Sequence, residues 1–377
     1  MNIFGPNELQ TEVFDKNLCI GCGACIGLCP YFGSYKGKTV NLFPCTLEQG
    51  RCFAFCPKIE VDLEELSQKT FSQPYTGHPL GTHLSIKTSK AGEKAREKAG
   101  SGAFQSGGTV SALMSFALEK GYINAAVCTD QDGILPIPRL VTKPEEIYEC
   151  SSSKYTAAPT LSVLNQAIKD GHKRLGVVGV PCQMTAVASI RTNPTNQDEF
   201  EDPIGLAVGL FCTWALDYKS FHAFISQKVS PDKITRVDIP PPPAEIMEVF
   251  VGDEKIEIPL DEIRALVPNT CSYCPDMTSE FADISVGVLE GRPDMNTLIV
   301  RTERGREIVE DAEKQGYLIT EDIMPQNLEH LAWASGNKKK RGLSKSNDEG
   351  LVNVTEEGRK SYVRIRTEVL AEIIQEG

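Results

Sequence analysis

The sequence predicts an α/β core preceded by a small cysteine-rich domain, and three observations carry that prediction. Seven of the thirteen cysteines fall between residues 19 and 56. From about residue 100, segments with apolar residues at helical spacing alternate with short runs that are apolar throughout. Such runs suit strands of a sheet buried on both faces, and their alternation with helices implies right-handed crossovers. Between the two regions, the polar, Gly- and Pro-containing stretch Ser72 to His83 reads as a linker. The expected domains are therefore 1–72, 84–335 and a polar C-terminal extension, 336–377.

The first domain is defined by CIGCGACIGLCP, which places Cys19, Cys22, Cys25 and Cys29 at Cys-x2-Cys-x2-Cys-x3-Cys-Pro spacing. A [4Fe–4S] cube needs thiolates converging from a tight loop; two-residue gaps curl three of them round one cube and send the fourth to another. Structural zinc usually takes Cys or His pairs separated by a longer loop, and disulfides suit secreted chains. A second group follows at Cys45, Cys52 and Cys56-Pro57. By the crossed ligation of two-cluster ferredoxins, Cys56 closes the first cube with Cys19, Cys22 and Cys25, which leaves Cys29, Cys45 and Cys52 for a second. The domain is thus read as a two-cluster, ferredoxin-like iron–sulfur domain. Its second site is one cysteine short, and three readings stay open: a [3Fe–4S] cluster, a fourth ligand from Glu48 or water, or an empty site.

In the core, Val110, Leu113, Met114, Ala117 and Leu118 predict a helix and Ala125 to Thr129 a strand. A helix over Leu161 to Lys169 leads to a strand from Leu175 to Pro181, a helix from Gln183, a strand from Ile204 to Cys212 and a helix from Tyr218 to Val229. The run Pro240 to Pro243 reads as an extended connector. The basic stretch Asn337 to Ser346 reads as a solvated surface segment.

Composition narrows the function classes. A length of 377 residues suggests two or three domains. The net charge of −12 argues against nucleic acid as the main partner and is compatible with docking to other redox proteins. No apolar run reaches the roughly 18 residues of a membrane helix, and the N-terminus has neither a basic start nor an apolar core. The chain is expected in the cytoplasm without membrane insertion, its cysteines serving as metal ligands and core thiols.

Four more cysteines stand at suggestive places. Cys182 in VGVPCQ and Cys212 in GLFC each end an apolar run, and Cys271 and Cys274 form CSYCPD. Strand ends are where α/β sheets build sites. Taken separately, each is a small buried hydrophobe or half a zinc or redox site; together they supply the thiolates of one more cubane. Two loops suit an anionic ligand. Ser106, Gly107 and Gly108 precede the helix that begins near Thr109, where unshielded N–H groups could hold a phosphate, and Ser151 to Ser153 with Lys154 and Tyr155 gather hydroxyls, a cation and a ring. A glycine pair can equally be a turn and a serine run a cap. No GxGxxG or Walker sequence is present, and the five histidines form no nucleophile pair.

The segments SGGTVSALMSFALEKGYINAAV, SSSKYT, GVPCQ, GLFC and CSYCPDMTSEFADISVG resemble the coenzyme F420 hydrogenase/dehydrogenase beta-subunit family over roughly residues 100 to 320. The resemblance implies a flavin-binding core holding FAD, a hydride exchanged with a deazaflavin, and single electrons passed between FAD and clusters. It implies FAD contact at Gly107, Gly108, Lys154 and Tyr155, and a cluster on Cys182, Cys212, Cys271 and Cys274. With Ser106, Thr109, Ser153 and Gln183 from the same segments, these complete the candidate site. Two or three [4Fe–4S] clusters, one of them open to the three-iron form, FAD, and coenzyme F420 as substrate follow as expectations. The expected partners are other redox subunits, of a hydrogenase, a formate dehydrogenase or a similar enzyme, or ferredoxin. The competing reading is an electron-transfer subunit of such a complex whose substrate is not F420. Coenzyme F420 is anionic, so Lys87, Lys90, Lys94, Arg96 and Lys98 are candidates for its pocket, against the plainer reading of a solvated helix face.

Overall fold

An eight-stranded mixed sheet organises the larger part of the chain. The computed structural model describes residues 3–100, 104–240, 244–355 and 357–375. In chain order the strands are β1 (Ser85–Ala91), β2 (Ala125–Asp132), β3 (Leu135–Val141), β4 (Leu175–Gly179), β5 (Ile204–Leu210), β6 (Ile284–Val288), β7 (Asn296–Val300) and β8 (Leu318–Asp322). Their spatial order is β8-β1-β7-β6-β5-β4-β2-β3. The central strands β2, β4, β5 and β6 pair in parallel. The other pairs are antiparallel; in two of them the connection is too short for a crossover helix, β2 and β3 being joined by Gly133 and Ile134, and β6 and β7 by residues 289–295.

The helices α1 (Thr109–Glu119), α2 (Thr160–Lys169), α3 (Pro181–Arg191) and α5 (Glu303–Lys314) pack on the sheet, while α4 (Tyr218–Ile225) and α6 (Pro325–Asp348) add to other cores. Successive strand residues point to opposite faces. Accordingly Ala126 and Cys128 of β2 pack with Leu113, Phe116 and Ile308 from α1 and α5. Ala125 and Val127 of the same strand pack with Leu161, Leu164, Met184 and Val187 from α2 and α3. The second layer also takes up Ile20, Cys22, Ala24 and Phe55, which docks the N-terminal region on the α2–α3 side. A separate three-stranded antiparallel sheet (Arg236–Asp238, Ile246–Val251, Glu254–Pro259) packs with α4. Of the proline connector expected over Pro240 to Pro243, residues 241–243 lie outside the described residues.

One reading of the C-terminal region changes. The basic stretch lies inside the 24-residue helix α6, where Lys338, Lys339, Gly342, Leu343 and Ser346 recur at helical spacing and are buried. The C-terminal extension beyond α6 packs on the N-terminal region: Leu351, Tyr362, Val363, Ile365 and Val369 share one core with Leu9, Phe53, Ile59, Val61 and Leu66. Strand Val363–Arg364 pairs in parallel with Val61–Asp62. The 72–83 segment is tied down as well. Arg301, 2% exposed, spends all five donors: on Ser285 Oγ (2.7 Å), Leu80 O and Thr82 O (2.8 Å each), and Thr278 O and Oγ1 (3.1 and 3.0 Å). Burial lowers its pKa to about 10.

Candidate iron–sulfur centres and adjoining loops

The first thiol group is built on a loop that only glycine permits. Gly21 and Gly23 adopt φ of 71° and 85°, the left-handed region that costs other residues about 1–2 kcal/mol. This turns the backbone amides inward, and Gly21 N–H donates to Cys19 Sγ at 3.4 Å. Cys25 lies beside Cys56, Cys22 and Cys19. The backbone amides of Ala24, and of Lys58 and Ile59, point at the sulfurs of Cys22 and Cys56. Burial pushes the Cys22 thiol up to about 12, and Cys25 and Cys56 well above the usual thiol range. Thiolates are therefore stable here only with compensating positive charge, which iron supplies, and loading the group must release protons.

The second group sits outside the first. Cys52 adjoins Cys29 and Cys45, and burial raises its thiol to about 11. Cys45 is carried by the exposed irregular segment 42–50.

The third group gathers at the strand ends. Cys212 follows β5; Cys182 enters the first turn of α3 behind Pro181, whose fixed φ suits that position. Cys271 and Cys274 come from the turn at Asn269–Tyr273. Cys182 lies near Cys274 and Cys212, and also near Cys22 of the first group; Cys212 lies near Cys271 and Cys274. Burial raises Cys212 to about 12. Two buried lysines attend these thiols, and sequence reading missed both. Lys58 Nζ donates to Thr270 O at 3.4 Å, and Lys338 Nζ to Cys212 O and Asp276 O at 2.6 and 2.8 Å. Each offsets negative charge in the dry interior; neither has a motif that would reveal it. Among the described residues no three His, Cys, Asp or Glu side chains are arranged to hold a single metal ion. The Cys-x2-Cys-x2-Cys spacing of the first group suits a cluster better than one zinc.

Iron content tests the ligand sets. Protein purified without oxygen is expected to carry about twelve Fe per chain, or about eleven if the second site is three-iron. Cys274→Ser should lose about four; full iron in that variant would make the cysteine a bystander.

The two loops chosen from the sequence meet in space. Gln105 Oε1 accepts from Ser153 N–H (2.7 Å), Ser111 Oγ lies 3.1 Å from Ser151 Oγ, and Gln105 Nε2 donates to Asp238 Oδ1 (2.5 Å). Tyr155 OH accepts from Ile239 N–H at 3.0 Å. The glycine pair answers first to internal packing: a Cβ on Gly107 would meet Asn296 Oδ1 at 2.5 Å, and one on Gly108, at φ +79°, the Phe104 ring at 2.6 Å. Asn296 also accepts from Thr109 N–H (3.3 Å) and donates to Ser106 Oγ (3.1 Å). Lys154 Nζ is caged by the carbonyls of Cys150, Ser151 and Ser152 at 2.8, 2.9 and 3.0 Å, and burial lowers its pKa.

Two of the candidate residues make scaffold contacts. Thr109 is fully buried with its hydroxyl 2.9 Å from Ser89 Oγ. Gln183 closes its own helix start on Val180 N–H and donates to Ala158 O, both at 3.0 Å. Of the basic residues at 87–98, Lys98 pairs with Glu119 and Arg96 Nε donates to Ala91 O at 2.9 Å. A cleft of about 500 Å³ lies elsewhere, between Gly27, Arg51 and the 193–203 segment.

A 4Fe-4S binding domain profile matches residues 12–32, which marks an iron–sulfur protein. The Coenzyme F420 hydrogenase/dehydrogenase beta subunit profiles match at residues 93–165 (N-terminal) and 172–326 (C-terminal). An F(420)H(2) dehydrogenase subunit of Methanosarcina mazei is 31% identical over 331 residues, 83% of this chain and 87% of that protein. The beta subunit of the coenzyme F420 hydrogenase of Methanothermobacter thermautotrophicus is 28% identical over 72% of this chain and 98% of its own length. A chain of the F420-reducing [NiFe] hydrogenase complex from Methanosarcina barkeri superposes with a TM-score of 0.65 at 26% identity, covering 72% of this chain and 93% of that one. The chain belongs to the coenzyme F420 hydrogenase/dehydrogenase beta-subunit family. No helix among the described residues is long and apolar enough to cross a membrane.

Proposed function

We propose that the chain is an iron–sulfur flavoprotein oxidoreductase subunit that moves electrons between coenzyme F420 and a partner redox subunit or ferredoxin. The single observation that carries this reading is the approach of Cys182 to Cys22, which joins the core thiol group to the N-terminal ones. FAD, when bound, would convert the two-electron hydride of reduced F420 into the single electrons that clusters accept.

The residues fit such a group in position rather than in charge. Ser106, Gly107, Gly108 and Ser153 lie where the paired loops meet, and Tyr155 stands on the second of these loops. Lys154 acts as a positioning residue, folding the 150–155 loop around its ammonium. From that loop the chain runs to the core thiols. Tyr155 O accepts from Leu216 N–H (2.7 Å), Ala158 O from Gln183, and Cys271 Sγ lies 3.9 Å from Ala215 O. These hydrogen bonds hold loop and thiols in one rigid frame, which is what hydride transfer requires of a protein.

Stopped-flow mixing of the reconstituted chain with reduced F420 should bleach flavin absorbance first and cluster absorbance afterwards. NADH should act poorly, since the chain has no dinucleotide fingerprint. Equal rates with NADH, or no FAD retained after gel filtration, would reject the assignment.

A further inference from the structure

Eleven of the thirteen cysteines belong to the three thiol groups, and the fold brings the remaining two together. Cys128 lies on β2 opposite Arg139 of β3. Cys150 ends the helical turn Pro144–Cys150. Arg139 staples the two segments: its Nη1 donates to Asp130 Oδ2 at 2.8 Å and to Glu149 Oε2 at 2.9 Å, one acceptor two residues after Cys128 and the other one before Cys150. Cys150 packs against the same apolar cluster that contains Cys128, and the two thiols lie beside each other. Nothing in the proposed electron route uses either.

We propose that Cys128 and Cys150 are a redox-active dithiol that closes to an intramolecular disulfide by exchange with a small-molecule disulfide. The two thiols are not equivalent. Cys150 is half-buried, whereas Cys128 is 4% exposed. The neighbouring Cys128 thiol lowers the Cys150 thiol, with Lys154 and Arg139 adding to it against burial and Asp130; the Cys150 thiol, with burial, raises Cys128. Cys150 is therefore the attacking thiolate and Cys128 the resolving thiol.

In the first step Cys150 Sγ bonds to one sulfur of the small disulfide, whose S–S bond breaks and releases one small thiol. In the second, Cys128 Sγ displaces the other half from Cys150, releasing a second small thiol. The protein loses two electrons and two protons, which reduce one small disulfide to two thiols, so the exchange balances. The closed disulfide ties the 150–155 loop, and with it the Lys154 cage on the Cys150 carbonyl, to β2. The assignment stands whether or not the loop holds a flavin.

The test uses the full cluster-loaded chain without oxygen, incubated with oxidised glutathione, alkylated, digested and read by mass spectrometry. The expected result is loss of two alkylatable thiols per chain, a cross-link between the peptides bearing Cys128 and Cys150, and its reversal by dithiothreitol. Cys128→Ser should trap glutathione on Cys150, and Cys150→Ser should leave Cys128 unmodified. Both thiols staying fully alkylatable in the unmodified chain would overturn the proposal, and glutathione on Cys128 in Cys150→Ser would overturn the assigned roles.

Discussion

Lys339→Met is expected to destabilise the protein by about 3–5 kcal/mol, because it strips the partner from a buried carboxylate. Lys339 Nζ donates to Glu280 Oε1 at 2.6 Å, to His78 O at 3.0 Å and to Tyr75 OH at 3.1 Å, and the two charged side chains are 1% and 5% exposed. The loss joins three elements at once, since α6, the 72–83 segment and the Glu280 turn meet on one ammonium. Burial holds the Glu280 carboxyl above its ordinary 4.5, and Asp276 adds to the shift while Lys339 opposes it. A carboxyl raised in the folded state binds its proton more tightly folded than unfolded. Its destabilising contribution is then absent below the unfolded pKa and present above the folded one. Removing Lys339 enlarges that contribution. The gap in urea midpoint between variant and parent should therefore be widest near neutral pH and narrow as pH falls toward the unfolded carboxyl value. Lys339→Met combined with Glu280→Gln should recover most of the loss. A single-variant loss below about 1 kcal/mol, unchanged with pH, would show that the pair does not matter to stability.

Lys339 also marks what the sequence conceals. A run of basic residues reads as solvated because composition gives no sign of partners; here the acceptors of Lys338 and Lys339 lie 59 or more residues away. The parallel strands were legible because strands covered on both faces are apolar throughout, as in LGVVG of β4. Edge strands hide better. β3 contains Pro136 and Pro138, which would disqualify a central strand but suit one paired on a single side. An inner strand can hide too: β1, SIKTSKA, paired on both sides, mixes lysines into a strand whose Thr88 and Ser89 are buried, so its pattern reads as surface. At the candidate site the glycine pair and the serine loop could be picked out by residue type. Their meeting through Gln105 and Asp238 could not, nor could Asn296, which arrives from β7 to meet both Ser106 and Thr109. Cysteine spacing was the most legible signal, because the chemistry of a cluster constrains local sequence directly.

Gly23→Ala should combine a stability loss of roughly 3 kcal/mol with loss of iron from the N-terminal domain. About 1–2 kcal/mol follows from placing a side chain at φ +85°. The rest follows from collision. An added Cβ would meet Pro159 O at 2.6 Å and Ser162 N at 2.8 Å, both backbone atoms at the start of α2, so neither can swing aside. The loop must then lift from the helix, which breaks Leu161 N–H to Cys22 O (3.1 Å) and the Asn165 Nδ2 bonds to Ala24 O and Ile26 O (2.9 and 2.7 Å). Each such bond is worth about 1 kcal/mol. Cys22 moves with the loop, and Cys22 is the residue that faces Cys182 across the junction. The variant should therefore slow electron delivery from the core group to an external acceptor more than it slows reduction of the core by reduced F420. Comparing the two rates by stopped-flow absorbance, alongside iron content, separates this from general unfolding, which would depress both together. Wild-type iron and an unchanged rate of delivery would mean that the contact between Gly23 and α2 does not hold the junction.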